Sequence, residues 1–523
     1  MPNLINVFLN DPGTPGAALV QVEPPANPAP FAIPDWDGAG GAFQPGTPEF
    51  QAGQLCIVLT RAYGAWTDFF DRVAPWSSGA PRLAVVPRAG EEFNAYYDRT
   101  ALKFCYAANP RTRQTIYTCE SSDIIAHECG HAILDAYHPE YWDSLLSESA
   151  AFHEAFSDIS ALLVALDSPQ VRAAVLAENN GDLAKSNTVT RLAEQMARGL
   201  FDAGYAHAVV SAEALRDLVN PFRYRDPAHL PARAPATRLS SESHNFSRIF
   251  SGALYDVLVG VYEQVRRNNP ALSPDAALAQ ARADVGHLIA QGVTLAPQGD
   301  ALFKTLAVAL LAASVQNFGG AYFPVFKRVL VARRLLKGRE ASGLRESAGP
   351  QHTRTSVLEG VTSVPLTTRP TWELPTTRVG EDLPSGIRKW LPVPKTAFRL
   401  VNERTRRDQT RVLYYAAPRR VTFTGESLGA ANGAVATLAD AVAVQLDADG
   451  IIVSSHYHHV DRAQEKRVRD HLAKLVARQR VYAAAPGERV DPAELLAQKK
   501  PYYLTYDDQG NRRIRRAFIA CGE

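Results

Sequence analysis

The stretch Ile124–Tyr137, IIAHECGHAILDAY, constrains this chain more than any other. His127 and His131 stand four residues apart, and Glu128 follows the first directly. Apolar residues recur at helical spacing and no proline interrupts them, which predicts a helix. On an α-helix, residues i and i+4 share a face, so two imidazole nitrogens can meet one metal ion. Glu128 lies beside them, where a carboxylate can act as general base on a metal-held water. Taken alone, the pattern fits a zinc centre and an incidental surface helix equally. Cys129, two residues from each histidine, is predicted to face away from the metal.

A catalytic zinc centre needs a third protein ligand. The candidate lies in SESAAFHEAFSDISALL, where Glu154 follows His131 by 23 residues. Asp158 is four residues further on, so the two carboxylates share a face of a second predicted helix. One can bind metal while the other accepts the remaining N–H of a ligating histidine and sets its tautomer. Phe152, Ala155, Phe156 and Ile159 surround them with apolar side chains, which argues against a solvated acidic face.

The organisation of the chain is legible in outline. Its 523 residues predict two to four domains, at roughly 100–200 residues each. A hydrophobic content of 46% is enough for real cores. No apolar run is long enough to span a membrane, and TLAVALLAAS (Thr305–Ser314) reads as a buried helix. The opening MPNLINVFLNDPG has no basic region followed by an apolar core, so no secretory signal is visible. The expectation is a cytoplasmic protein or one exported by a route the sequence does not display. Cys56, Cys105, Cys119, Cys129 and Cys521 include no C-x-x-C pair, and buried free thiols are expected.

Residues 1–50 are rich in Pro, Gly and Ala, and read as extended and loop-rich. Gln54–Val73 has helical spacing, RLAVVP and LKFCYA read as short strands, and Ser122–Arg334 is mainly helical. Residues 339–395 carry many Pro and Thr residues and read as a linker or strap. Beyond it, strand-like segments flank the turn signals DADG and DDQGN, and RAQEKRVRDHLAKLVARQR reads as a basic amphipathic helix. Residues 386–523 hold 24 Lys and Arg against 15 Asp and Glu, a balance of +9 within a chain of net +2. That change of sign supports a separate basic α+β domain over 396–523.

Five segments together resemble the thermolysin-like zinc metallopeptidases, the gluzincins with an HExxH…ExxxD pattern. They are the two above, FNAYYDRTALKFCYA (Phe93–Ala107), ALRDLVNPFRYRDPAHL (Ala214–Leu230) and SHNFSRIFSGALYDVL (Ser243–Leu258), and they occur in the family's order. The resemblance covers roughly residues 50–335. It implies an α+β fold with two lobes: an α/β lobe over 51–135 ending in the zinc helix, and a helical lobe over 136–338. It implies one catalytic Zn2+ held by His127, His131 and Glu154, with Asp158 orienting His127. Glu128 would be the general base, taking a proton from the zinc-activated water and delivering it to the leaving amine. His244 would stabilise the oxyanion, and Arg216 would brace the site and bind a substrate carbonyl. Asn94 and the Ala95 carbonyl would align a peptide substrate as an added strand.

The chain also departs from the family. Where the family has an aspartate supporting its catalytic histidine, this chain has Leu239, and Glu242 is the nearest carboxylate. Tyr141 and Trp142 fall near the place of the family's oxyanion tyrosine. The family's calcium-binding acidic cluster is largely missing apart from Asp123, so structural Ca2+ is not expected. The expected activity is metalloendopeptidase. A second reading is a non-catalytic or self-inhibited zinc fold whose basic C-terminal domain binds a partner. Basic and aromatic residues interleave in RRDQTRVLYYAAPRR and QGNRRIRRAF, but solvated strand and helix faces account for them, and nucleic acid is not expected as a partner. HYHHVD (His456–Asp461) is expected to end a strand rather than to form a second metal site.

Overall fold

The computed structural model describes residues 4–25, 28–300, 302–347, 383, 398–450, 452–507 and 509–520 of a mixed α and β chain. It divides into two units. The first comprises Met1–Ala136, Ala151–His287 and Phe518–Glu523, and the second Tyr137–Ala150 and Leu288–Ala517.

In the first unit, a long helix spans Pro48–Phe70. Thr47 caps it by accepting from the Phe50 N–H at 3.3 Å, and Pro48 supplies the fixed φ suited to a first turn. It ends at Asp71, which takes a left-handed conformation with φ 69°. The helix lies beside the helix Ser147–Ala165: Trp66 stacks on Phe156 with ring centroids 4.3 Å apart, and its indole N–H donates to Ser160.

Five strands form one sheet, in the spatial order Ile519–Ala520, Ala95–Tyr97, Ala101–Phe104, Leu83–Val86 and Phe31–Ala32. Ala95–Tyr97 and Ala101–Phe104 pair antiparallel. The turn between them is closed by Asp98, whose Oδ1 accepts from the Thr100 and Ala101 N–H groups at 2.9 Å each. Leu83–Val86 runs parallel to both of its neighbours. The two segments expected as strands, RLAVVP and LKFCYA, thus lie side by side. Tyr97 ties this sheet to the helix Ser122–Tyr137, since its hydroxyl donates to Asp135 Oδ2 at 3.0 Å. Arg99 secures the same carboxylate at 2.7 Å.

The second unit carries a seven-stranded sheet. Arg399–Thr405, Arg411–Phe423, Ala434–Leu446 and Ile452–His458 pair antiparallel in succession, with DADG turning the last hairpin. Tyr502–Tyr506 and Arg512–Arg516 form a second hairpin around DDQGN, and Arg512–Arg516 joins Ala434–Leu446 in parallel. The predicted basic helix spans Arg462–Ala477 and begins with a reciprocal cap between Asp461 and Gln464. It buries Val468, Leu472 and Leu475 with Phe423, Leu438 and Leu504. Tyr141 stacks on His138 at 4.5 Å, and the Trp142 indole donates to the Arg516 carbonyl. In HYHHVD, His456 and His458 are buried on one strand, which depresses both rings to about 4, and His459 Nδ1 lies 2.9 Å from Asp440.

Cys56, Cys105, Cys119 and Cys129 are free and buried. No single helix among the described residues is long and apolar enough to cross a membrane. The segment expected as a linker, 339–395, begins inside the helix Gly338–Ser347 and otherwise falls, apart from Leu383, outside the described residues.

A buried carboxylate group ties the start of the chain to the helix Ser122–Tyr137. Ser121 donates to Asp11 Oδ2 at 2.7 Å and contacts Asp123, while Asp123 Oδ2 accepts from the Ala193 N–H at 2.6 Å. Glu194 accepts from Thr14 and pairs with Arg191 at 2.8 Å. Burial outweighs these partners and raises Glu194 from 4.5 to about 7. The folded state therefore holds this proton more tightly than the unfolded state does. The stability it contributes is complete below the unfolded value and is lost as pH rises through the folded one. Thermal denaturation followed from pH 4.5 to pH 8 should show stability falling, with Glu194 supplying on the order of 3 kcal/mol. Glu194→Gln should flatten that slope; an unchanged slope in the variant would assign the effect elsewhere.

Candidate metal centre

The helices Ser122–Tyr137 and Ser147–Ala165 approach each other at Gly130. A Cβ at Gly130 would stand 2.8 Å from Ser157 Cα and 2.9 Å from Ser160 Cβ, both on the facing helix. Glycine lets the two backbones come this close. The turn holding His127 and His131 is thereby brought against the turn holding Glu154 and Asp158. All four side chains are buried.

His127 Nε2 and His131 Nε2 are 3.1 Å apart. Glu154 Oε2 lies 3.5 Å from His127 Nε2, and Oε1 lies 3.6 Å from His131 Nε2. Ligand atoms at about 2.0–2.1 Å from a tetrahedral zinc are separated by roughly 3.3–3.4 Å, so this triangle has the size such an ion needs. The donor set fits as well. Glu154 Oε2 is buried and accepts no hydrogen bond. Burial, then the charge of His127, pushes His131 well below its ordinary value, which favours the neutral imidazole that ligates metals. Ligand atoms of His127, Glu128 and His131 also lie within 4.8 Å of one another. Glu128 is thus close enough to act beside the two histidines.

A second layer fixes these groups. His127 Nδ1 lies 3.2 Å from Asp158 Oδ1. Arg216 meets the same oxygen through Nε at 3.1 Å and through a terminal nitrogen at 3.0 Å, and it comes within 4.0 Å of Glu154. Burial opposes the charged form of Asp158, but Arg216 and His127 override it and hold its carboxyl below the usual range. Arg216 is delivered by a short antiparallel pairing in which it stands opposite Leu192.

His244 enters from the start of the helix Ser243–Asn268. Its Nε2 lies 3.4 Å from Glu154 Oε1, and its Nδ1 lies 2.7 Å from Glu242 Oε1. Glu242 is also the cap of that helix, accepting from the His244 and Asn245 N–H groups at 2.9 and 2.8 Å. Burial works against a charged ring, but Glu154 and Glu242 together raise His244 to about 10. The support that Leu239 cannot provide therefore comes from Glu242, two residues away instead of five.

Asn94 is buried where the strand Ala95–Tyr97 begins. Its side-chain oxygen accepts from the Ala95 N–H at 2.9 Å, and its carbonyl accepts from the Cys105 N–H at 3.0 Å. Burial, then Glu92, raises the Cys105 thiol to about 12. Tyr141 and Trp142 belong to the second unit. Sequence reasoning missed Gly130 and Asp135. The first could have been found as the one residue without a side chain between the histidines, the second from its position four residues after His131.

No family model matches the chain, and no curated protein matches it. Similar solved structures include the precursor of protealysin, a metalloproteinase from Serratia proteamaculans. That match has 14% identity and a TM-score of 0.34, covering 62% of this chain and 87% of that one. A likeness at that score carries no argument, and the functional reading rests on the residues.

The close approach at Gly130 has a measurable consequence. Gly130→Ala should force the helices apart, cost about 1–3 kcal/mol of stability, and weaken zinc binding in a competition titration with a chelator. Zinc affinity unchanged in a folded variant would show that the approach does not set the ligand triangle.

Proposed function

We propose that this chain is a zinc-dependent endopeptidase. The observation that carries the reading is the convergence of His127, His131 and Glu154 at tetrahedral separations with Glu128 beside them. A structural zinc has no use for that neighbouring carboxylate. When bound, the metal supplies Lewis acidity to a water and to a peptide carbonyl.

Glu128 takes the proton of the attacking water and passes it to the leaving amine. His244, whose Nδ1 pairs with Glu242, presents Nε2 as a donor to the oxyanion that develops on the carbonyl. Asp158 fixes the tautomer of His127, and Arg216 keeps Asp158 ionised while offering donors to a substrate carbonyl. Asn94 and the Ala95 carbonyl align the peptide along the sheet edge. A self-inhibited form of the same zinc fold is favoured by one specific observation, the occupied edge of that sheet.

Glu128→Gln tests the reading. It should lower hydrolysis of an internally quenched peptide by about 10²–10⁴-fold while leaving zinc content unchanged. Hydrolysis at the original rate in that variant would refute the peptidase reading.

A further inference from the structure

Ala95–Tyr97 would be the outer strand of its sheet but for Ile519–Ala520, which lies beyond it. The pairing is antiparallel, with Ile519 opposite Tyr97 and Ala520 opposite Tyr96. The seat is also packed. Phe518 is 3% and Ile519 4% exposed, and the Phe518 ring meets the Tyr96 ring edge-on at 6.1 Å. An outer strand leaves a row of backbone N–H and C=O groups that an extended segment can satisfy. Here a distant part of the same chain does so.

The direction of the pairing gives it meaning. From Ile519 to Ala520 the chain runs from the Tyr97 end of the strand toward the Asn94 end. The Tyr97 end is fastened near the end of the helix Ser122–Tyr137 through Asp135, and at the other end the Asn94 carbonyl accepts from the Thr118 hydroxyl, just before that helix begins. An extended peptide added to this strand in the same sense would run along the helix that carries His127 and His131. Ile519 and Ala520 therefore sit where such a peptide would pair.

We propose that Phe518–Ala520 is a built-in competitor that occupies the peptide-binding edge and must leave before a substrate strand can add. The inference rests on the peptidase reading for its consequence, but strand occupancy can be tested without turnover. A tethered segment competes at an effective concentration that reaches about millimolar for short flexible connections. Two paired residues form a short ladder that a longer peptide can displace. The occupant indicates the ligand class: an extended segment with a bulky apolar residue opposite Tyr97 and an aromatic or aliphatic residue before it that packs on Tyr96.

The test uses the full zinc-loaded chain in a Glu128→Gln background, so that no probe is consumed. Fluorescence anisotropy follows a blocked, fluorescein-labelled pentapeptide of Leu and Ala. Ile519→Pro, which removes a backbone donor from the added strand, should tighten its binding at least tenfold, as should Phe518→Asp. With Glu128 intact, kcat/KM for a quenched peptide should rise by a similar factor. In the chain unchanged at 518–520, saturating peptide should speed amide hydrogen exchange at Phe518–Ala520. Unaltered affinity in folded variants, or unaltered exchange at saturation, overturns the inference. Tighter binding with no hydrolysis by any Glu128-containing chain upholds the occupancy and defeats the peptidase reading instead.

Discussion

The candidate centre depends on two helix backbones meeting at Gly130. A Cβ there would run into Ser157 and Ser160 on the facing helix, so the approach is available to glycine alone. From it follows the ligand triangle, because His127 and His131 lie to either side of Gly130 and Glu154 and Asp158 to either side of Ser157. The contact is tightly packed. The helix Pro48–Phe70 backs it with Trp66 against Phe156 and Ser160. Packing of this density turns a small side-chain change at the crossing into a displacement of the ligands.

Electrostatics then assigns each group its state. His127, Glu128, His131, Glu154 and Asp158 are buried and His244 and Glu242 half-buried, where an uncompensated charge is costly. Arg216 answers Asp158, Asp158 answers the outer nitrogen of His127, and Glu242 answers His244. Glu154 touches His127, His131 and His244, and Arg216 more distantly. It is thus the common neighbour of the groups that would hold the metal and the groups that would act on a substrate. A divalent cation between His127, His131 and Glu154 would complete the balance without disturbing the outer pairs.

How much of this was legible in the sequence depended on the distance over which each feature acts. The motif helix and its acidic partner were readable because residues i and i+4 share a helix face, a rule that needs no tertiary information. The hairpins at DADG and DDQGN were readable for a similar local reason. Glu242 was visible only as the nearest carboxylate, since its double role as helix cap and partner of His244 appears when the helix start is placed. The pairing of Ile519–Ala520 with Tyr96 and Tyr97 had no local signal. The strand character of the segment ending AFIA was visible, but its partners lie far away in the sequence, beyond the reach of any local pattern. The same limit applies to the two units, whose discontinuous segments no composition shift marks.

The central claim is that His127, His131 and Glu154 form one zinc site. X-ray absorption at the zinc edge of the metal-loaded chain tests it most directly. The account predicts one zinc per chain, with nitrogen and oxygen scatterers at about 2.0–2.2 Å that include two imidazoles, and loss of the bound metal in His131→Ala. Sulfur scatterers near 2.3 Å, or full zinc retention in that variant, would contradict it.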